Sequence, residues 1–182
     1  MKSILIFASG NGTNARNIID YFKGSSIIVS KILCNYSGAK VLDIARSENL
    51  THSLISKHQL ENGEVLSLLR ATKPDLVVLA GFLLKIPKEI ADEFRIVNVH
   101  PSLLPRHGGK GMYGMNVHRA VIDSKDAESG ITIHWANENY DEGKIIAQHR
   151  CDVYESDTPE SLAIKIAALE KEYFPKAIER II

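Results

Sequence analysis

The sequence has 182 residues, no formal net charge, 45% hydrophobic and 24% charged residues, a composition typical of a folded globular domain with its own core. Without a basic excess the chain lacks the charge that holds a nucleic-acid backbone, so no nucleic-acid partner is expected. No apolar run approaches the roughly 20 residues that span a bilayer, and no signal peptide opens the chain. We therefore expect a cytoplasmic protein without a membrane partner.

The chain opens with a continuous apolar strand, Ser3–Ala8, which leads into a glycine-rich turn and a helix. A strand, such a turn and a helix form the geometry that cradles a phosphate, because backbone N–H groups and the positive helix end face the anion. The glycine spacing also fits a dinucleotide fingerprint weakly, but no acid follows the second strand, Ile27–Leu33. A single phosphate is favoured over a turn without ligand, and the candidate residues are Gly10, Asn11, Gly12, Thr13 and Asn14.

Strands and helices alternate over the next stretch of the chain, which is typical of an α/β fold with a mostly parallel sheet. The predicted helices are Ala39–Glu48, Leu60–Ala71 and Pro87–Phe94, and the predicted strands are His52–Ile55 and Asp75–Gly81. The loop after the second of these strands is unusually apolar. It predicts either a buried connection or a slot for a flat ring system, formed by Phe82, Leu83, Leu84, Lys85 and Ile86.

The central stretch is a strand that begins at Ile96 and is ended by Pro101, which has no N–H to donate. Asn98 and His100 lie two residues apart, so they share one face of this strand. In open α/β sheets ligands bind at the carboxyl ends of the strands. An amide that can donate to an oxyanion and an imidazole that can move a proton therefore indicate a catalytic site, although two satisfied polar residues are the alternative.

The remaining chain contains a glycine-rich loop, Arg106–Met115, a short helix, a hairpin and a final helix that Thr158 caps. The two hairpin strands, Gly130–Trp135 and Lys144–Val153, are predicted to pair antiparallel. Glu170 falls at the edge of the apolar stripe of the last helix, where a carboxylate needs a partner or a ligand unless it reaches solvent. The predicted fold is α/β: one Rossmann-like domain with a mostly parallel twisted sheet, helices on both faces and an antiparallel C-terminal hairpin.

Three stretches together resemble phosphoribosylglycinamide formyltransferases, the folate-dependent enzymes of de novo purine synthesis. They are Ser9–Asn14, Asn98–Pro105 and Asp141-x-Gly143. The resemblance implies a formyltransferase fold over residues 1–182, with a phosphate-binding half of about residues 1–95 and a catalytic, folate-binding half of about 96–182. It also implies a catalytic trio of Asn98, His100 and Asp141, a substrate phosphate on the Gly10–Asn14 turn, and contact of Glu170 with the glycinamide group.

The resemblance further implies 10-formyltetrahydrofolate as co-substrate and glycinamide ribonucleotide as formyl acceptor. The folate pocket would be lined by the apolar loop 82–86, Asn98, and the connection Asn137, Glu138, Asn139, Tyr140 and Asp141. For the three carboxylates of this loop, at positions 138, 141 and 142, solvated turn residues are the alternative. No metal is expected, because the seven histidines include no His-x-x-x-His pair. A monomer or homodimer is expected. The alternatives are a 10-formyltetrahydrofolate hydrolase, a formyltransferase acting on another amine, and a phosphometabolite-binding protein without turnover.

Overall fold

The structure, a computed structural model, describes residues 1–182. The strands are β1 (Lys2–Ala8), β2 (Ile27–Cys34), β3 (His52–Leu54), β4 (Leu76–Leu79), β5 (Ile96–His100), β6 (Glu128–Trp135) and β7 (Ile145–Asp152). The helices are α1 (Thr13–Phe22), α2 (Val41–Ser47), α3 (Lys57–Glu61), α4 (Glu64–Thr72), α5 (Lys88–Glu93), α6 (Met115–Asp123) and α7 (Pro159–Ile181). The seven strands form one sheet in the order β3-β2-β1-β4-β5-β6-β7. The predicted α/β class is confirmed.

The chain divides into two compact units, residues 1–97 with Ile182, and residues 98–181. In the first unit β1 pairs in parallel with β2 and β4, and β2 pairs in parallel with β3. Residues 4–8 of β1 are fully buried. A strand with neighbours on both sides and cover on both faces is apolar throughout, which is why this segment shows no alternation.

One predicted helix of the first unit is wrong. The segment predicted as Leu60–Ala71 forms two short helices, α3 and α4, separated by Gly63 at φ 91°. Ser56 starts α3 with a capping box, since its hydroxyl accepts from the backbone N–H of Gln59 while the Gln59 side chain accepts from the N–H of Ser56. The apolar periodicity of residues 65–69 hid the Asn62-Gly63 turn signal, which outweighs it locally.

In the second unit, β6 and β7 pair antiparallel, with Thr132 opposite Gln148 and a register shift after Ile133. The predicted hairpin is therefore confirmed. Helices α6 and α7 pack against each other, and α7 packs on both hairpin strands. No helix of the chain is both long enough and apolar enough to cross a membrane.

The start of α7 is held by two cooperating side chains. As predicted, Thr158 is the cap, since its hydroxyl accepts from the backbone N–H of Ser161. Asp157, with an 8% exposed side chain, accepts from Lys165 Nζ at 2.5 Å, from the Tyr154 N–H at 2.8 Å and from the Ser161 hydroxyl at 2.7 Å. Chiefly through Lys165, these donors lower the pKa of Asp157 to about 2.

We expect Asp157→Asn to lower the free energy of unfolding at pH 7. The native-state pKa lies below the unfolded value of about 4, so the stabilisation is complete above pH 4 and is lost as the pH falls towards 2. Urea unfolding of wild type and variant at pH 7 and pH 3 tests this, with the exposed Asp43→Asn as control. If the difference in free energy of unfolding between wild type and Asp157→Asn is as large at pH 3 as at pH 7, the stabilising role of the ionised Asp157 is contradicted.

Candidate active site

The site of the second unit is built on the last three residues of β5. Asn98 is half-buried and His100 is 3% exposed. Val99, whose side chain points to the opposite face, is buried in the core, so packing fixes the direction of its two neighbours. The predicted alternation therefore places the amide and the imidazole on one face of the strand.

Asp141 completes the predicted trio although it lies 41 residues beyond His100 in the sequence. Its carboxylate Oδ2 is 3.3 Å from His100 Nδ1 and accepts from the Gly109 N–H at 2.9 Å. Its backbone is left-handed, with φ 59°, a conformation that Asp and Asn tolerate better than other side chains do. The turn after β6 thus brings the carboxylate to the end of β5, and the glycine-rich loop is tied to the same group.

Both ring nitrogens of His100 face hydrogen-bond acceptors. Nε2 donates to the backbone carbonyl of His107 at 2.8 Å, and Nδ1 faces the Asp141 carboxylate. An imidazolium has two N–H donors and no acceptor, so it satisfies both partners at once. The arrangement suits a group that carries a proton and delivers it.

The sequence interpretation missed His134, which lies beside the trio on β6. Asn98 Nδ2 donates to His134 Nε2 at 3.1 Å, and His134 Nδ1 donates to the carbonyl of Trp135 at 3.0 Å. A Cβ on Gly143 would lie 1.6 Å from that carbonyl, so only glycine fits there. The missed signal was the alternation of β6, which puts His134 on the polar face with Thr132.

The carboxylate of Asp141 stays ionised despite its burial. Burial alone would raise its pKa, but the imidazoles beside its two oxygens, the charge of His100 and the Gly109 N–H together lower the pKa well below its usual value. His134 Nε2 lies 3.6 Å from Oδ1 and His100 Nδ1 lies 3.3 Å from Oδ2. A fixed negative charge therefore faces the His100 imidazole throughout the neutral pH range.

A second buried histidine, His118 on α6, was also missed. It is 6% exposed, and its Nδ1 has no hydrogen-bond partner. Burial lowers the pKa of His118, and the charge of His100 lowers it further. Both effects disfavour a second positive charge beside His100.

In the first unit, the predicted phosphate turn follows β1. Gly12 is the N-cap of α1 and offers no side-chain cap, and the first turn of the helix contains no acid. Backbone N–H groups at this helix start suit an anion.

Packing requires a glycine at position 12. Its φ is 76°, and a Cβ there would lie 2.8–2.9 Å from Val41, so packing against α2 already excludes a side chain. Gly10, by contrast, has open space around it, and its carbonyl accepts from the Val41 N–H.

The apolar loop of the first unit is joined to the phosphate turn through Ser9. The Ser9 hydroxyl donates to Asn35 Oδ1 and accepts from the Leu83 N–H at 2.9 Å. Phe82 packs edge-on against Phe7, with 5.0 Å between ring centroids. Of the five predicted slot residues, Ile86 is buried, Phe82 and Leu84 are half-buried, and Leu83 and Lys85 are exposed.

The other predicted residues of the second unit lie at or near the surface. Asn137 and Glu138 are half-buried, Asn139 and Tyr140 are exposed, and Glu170 is half-buried on α7. Asn137 Oδ1 accepts from the Asn139 N–H, which shapes the turn that leads to Asp141. Within this unit the structure thus places Asp141 beside His100, and His134 links Asn98 to Asp141.

The chain resembles known proteins over almost its whole length. Residues 2–178 match the family model described as formyl transferase. A chloroplastic phosphoribosylglycinamide formyltransferase of Arabidopsis thaliana is 37% identical, covering 99% of this chain, which spans only 65% of that protein's length. The Bacillus subtilis (strain 168) phosphoribosylglycinamide formyltransferase is 30% identical, covering all of this chain and 95% of that protein.

Solved structures agree with these relatives. The crystal structure of phosphoribosylglycinamide formyltransferase from Bacillus halodurans has a TM-score of 0.89 and 32% identity, covering 99% of this chain and 95% of that one. The match extends through both units and includes the segments that carry the trio and the phosphate turn. From this match and the geometry above, we conclude that the chain belongs to the formyl transferase family.

Proposed function

We propose that the protein transfers the formyl group of 10-formyltetrahydrofolate to the primary amine of 5-phosphoribosylglycinamide. The products are formylglycinamide ribonucleotide and tetrahydrofolate, a step of purine biosynthesis. The observation that carries the proposal is that Asp141 faces His100 at 3.3 Å and His134 at 3.6 Å, while Asn98 hydrogen-bonds to the same His134, in a chain similar to enzymes named for this reaction.

The proposed reaction begins with attack of the amine nitrogen on the formyl carbon, which gives a tetrahedral oxyanion. One N–H of the Asn98 amide is held by His134, and we assign the other to the oxyanion. The imidazolium of His100 gives its proton to the leaving N10 of the folate. Asp141 fixes the orientation of the His100 ring and stabilises the positive charge of the imidazolium. It also orders the water that takes the proton of the attacking amine.

The remaining predicted residues bind the two substrates in this proposal. The Gly10–Asn14 turn takes the 5′-phosphate, because a helix N-terminus without a side-chain cap favours a dianion. Glu170 contacts the glycinamide group. The residues proposed to bind the folate are the loop 82–86 in the first unit and Asn98 with the connection 137–141 in the second. No metal takes part.

The trio alone is compatible with two related activities. Water in place of the amine gives a formyl-folate hydrolase, and a different amine gives another formyltransferase. The phosphate turn favours a phosphorylated acceptor. A buried imidazole whose two nitrogens face a carboxylate and a carbonyl favours an enzyme over a binding protein without turnover, because binding alone does not require a proton donor.

The test is a steady-state assay of tetrahydrofolate release with three acceptors: glycinamide ribonucleotide, glycinamide without the ribose phosphate, and water. We expect rapid release with the ribonucleotide only. Equal rates with all three acceptors would identify a hydrolase. No release with any of them would contradict the proposal and leave a binding protein or a formyltransferase acting on another amine.

The phosphate assignment is best tested at Gly10 rather than Gly12. Gly10→Val places a side chain in open space beside the turn, so the fold tolerates it while the anion is obstructed. We expect KM for the ribonucleotide to rise at least about 10-fold, with KM for the folate unchanged. Gly12→Ala is the contrasting variant, since it meets Val41 and should lower the melting temperature. Equal changes in both KM values for Gly10→Val would count against the phosphate site.

The proposal extends to compartment and assembly. Cys34 and Cys151 are free thiols, which suits a reducing cytoplasm. A monomer or homodimer acting on small molecules is expected. The phosphate-binding role is assigned to about residues 1–95 of a single domain, and the catalytic and folate-binding roles to about residues 96–182.

A further inference from the structure

A second carboxylate–imidazole pair lies behind the catalytic histidine. His107 Nε2 donates to Asp126 Oδ2 at 2.7 Å, and the two side chains are 15% and 17% exposed. Asp126 lies in the turn between α6 and β6, and Arg106 Nη1 is 3.5 Å from its Oδ1. Neither His107 nor Asp126 belongs to the trio or to the predicted substrate contacts.

This pair connects to the trio through the backbone. The carbonyl of His107 is the group that accepts from His100 Nε2 at 2.8 Å. His107 adopts φ 52°, a left-handed conformation that is rare for residues with a side chain. Such a conformation persists only where the surroundings fix it. The orientation of the His107 carbonyl, which faces the His100 ring, therefore depends on the contacts of the His107 side chain.

The His107 peptide is held from both directions along the chain. On the preceding side, the buried hydroxyl of Ser102 donates to the carbonyl of Arg106 at 2.6 Å. The side chain of His107 itself donates to the Asp126 carboxylate. The glycines that follow, Gly108 and Gly109, add no side chain that could reach across to β6. On the following side, the Gly109 N–H donates to Asp141 at 2.9 Å, so the loop is held on both sides of His107, and Asp126 is the contact made by the His107 side chain itself.

We propose that Asp126 and His107 are positioning residues for catalysis, in that their hydrogen bond holds the His107 carbonyl against His100 Nε2. This inference rests on the proposed function only in the measurement of kcat, which requires formyl transfer. Because the Asp126 oxygen is needed as an acceptor, Asp126→Asn can keep the bond and Asp126→Ala cannot. The charge of Asp126 is not required.

Two measurements separate positioning from general stability. We expect Asp126→Ala to lower kcat about 10-fold with KM of both substrates nearly unchanged, because the proton donor is misplaced while the substrate contacts remain. Asp126→Asn should restore most of the lost kcat. Glu128→Ala is the matched control, since Glu128 pairs with Arg150 at the same end of β6 and does not contact His107.

The second measurement needs no substrate. Proton and nitrogen NMR of the His100 ring reports the hydrogen bond from Nε2, and its Nε2–H signal should shift in Asp126→Ala and stay in place in Asp126→Asn and Glu128→Ala. If Asp126→Ala does not fold, His107→Asn replaces it, because asparagine tolerates the left-handed backbone but is too short to reach Asp126.

The outcomes are distinct. An unchanged Nε2–H signal and unchanged kcat in Asp126→Ala, or an equal loss in Glu128→Ala, would overturn the positioning role. If wild type transfers no formyl group, the proposed function fails, and the NMR signal alone then decides whether Asp126 positions His100.

Discussion

Asp141→Asn is expected to lower turnover by roughly 10²- to 10⁴-fold, the range that general acid–base groups contribute. The carboxylate accepts from the Gly109 N–H and faces the nitrogens of His100 and His134. An amide keeps the shape, and its oxygen can still accept from the Gly109 N–H and face His100 Nδ1, but an amide oxygen is a weaker acceptor than a carboxylate oxygen. The charge that stabilises the imidazolium is lost as well.

Both substrates should still bind Asp141→Asn, so the loss falls on kcat. Asparagine also suits the left-handed backbone at this position, which keeps the variant folded. Glu142→Gln is the control, since it removes the neighbouring exposed carboxylate. Wild-type turnover in Asp141→Asn, measured with both substrates saturating, would reduce the trio to a pair.

Asn98→Ala is expected to lower turnover by about 100-fold or more, as removal of an oxyanion donor commonly does. KM for either substrate should change little, because the contact forms mainly in the transition state. Asn98→Asp is the matched variant: it keeps the size of the side chain but offers no N–H. Its turnover should fall at least as far as that of Asn98→Ala.

Comparison of Asn98→Ala with His134→Ala separates the oxyanion role of Asn98 from support of His134. In the structure Asn98 Nδ2 donates to His134 Nε2, so a purely supporting role predicts that His134→Ala is as damaging as Asn98→Ala. The oxyanion role predicts a smaller loss for His134→Ala. Stopped-flow measurement of the chemical step in each variant decides between them.

The strands that position the site could be predicted because their patterns are local. Continuous apolar residues identify β1 as buried on both faces, and alternation in β5 and β6 gives the direction of each side chain. That Asn98 and His100 share one face of β5 therefore follows from their two-residue spacing alone. The break at Gly63 was missed because leucine periodicity on both sides looks like one continuous helix.

Contacts between distant segments could not be predicted in the same way. Asp141 was assigned only through resemblance to a family, since nothing in residues 96–141 fixes where the turn after β6 folds. The left-handed backbone conformation of Asp141 and His107 could not be predicted from the sequence, because neither residue is a glycine. The packing of Gly12 on Val41 likewise depends on how α2 lies against the turn.

The most direct test of the central claim is a single-turnover reaction with 10-formyltetrahydrofolate carrying ¹³C in the formyl group, followed by carbon NMR. With wild type and glycinamide ribonucleotide, we expect the label to move to the formamide carbon of the product. With Asn98→Ala or Asp141→Asn, the label should remain on the folate over the same time. Release of the label as formate at one rate with and without ribonucleotide, or transfer at the wild-type rate in both variants, would contradict the assignment.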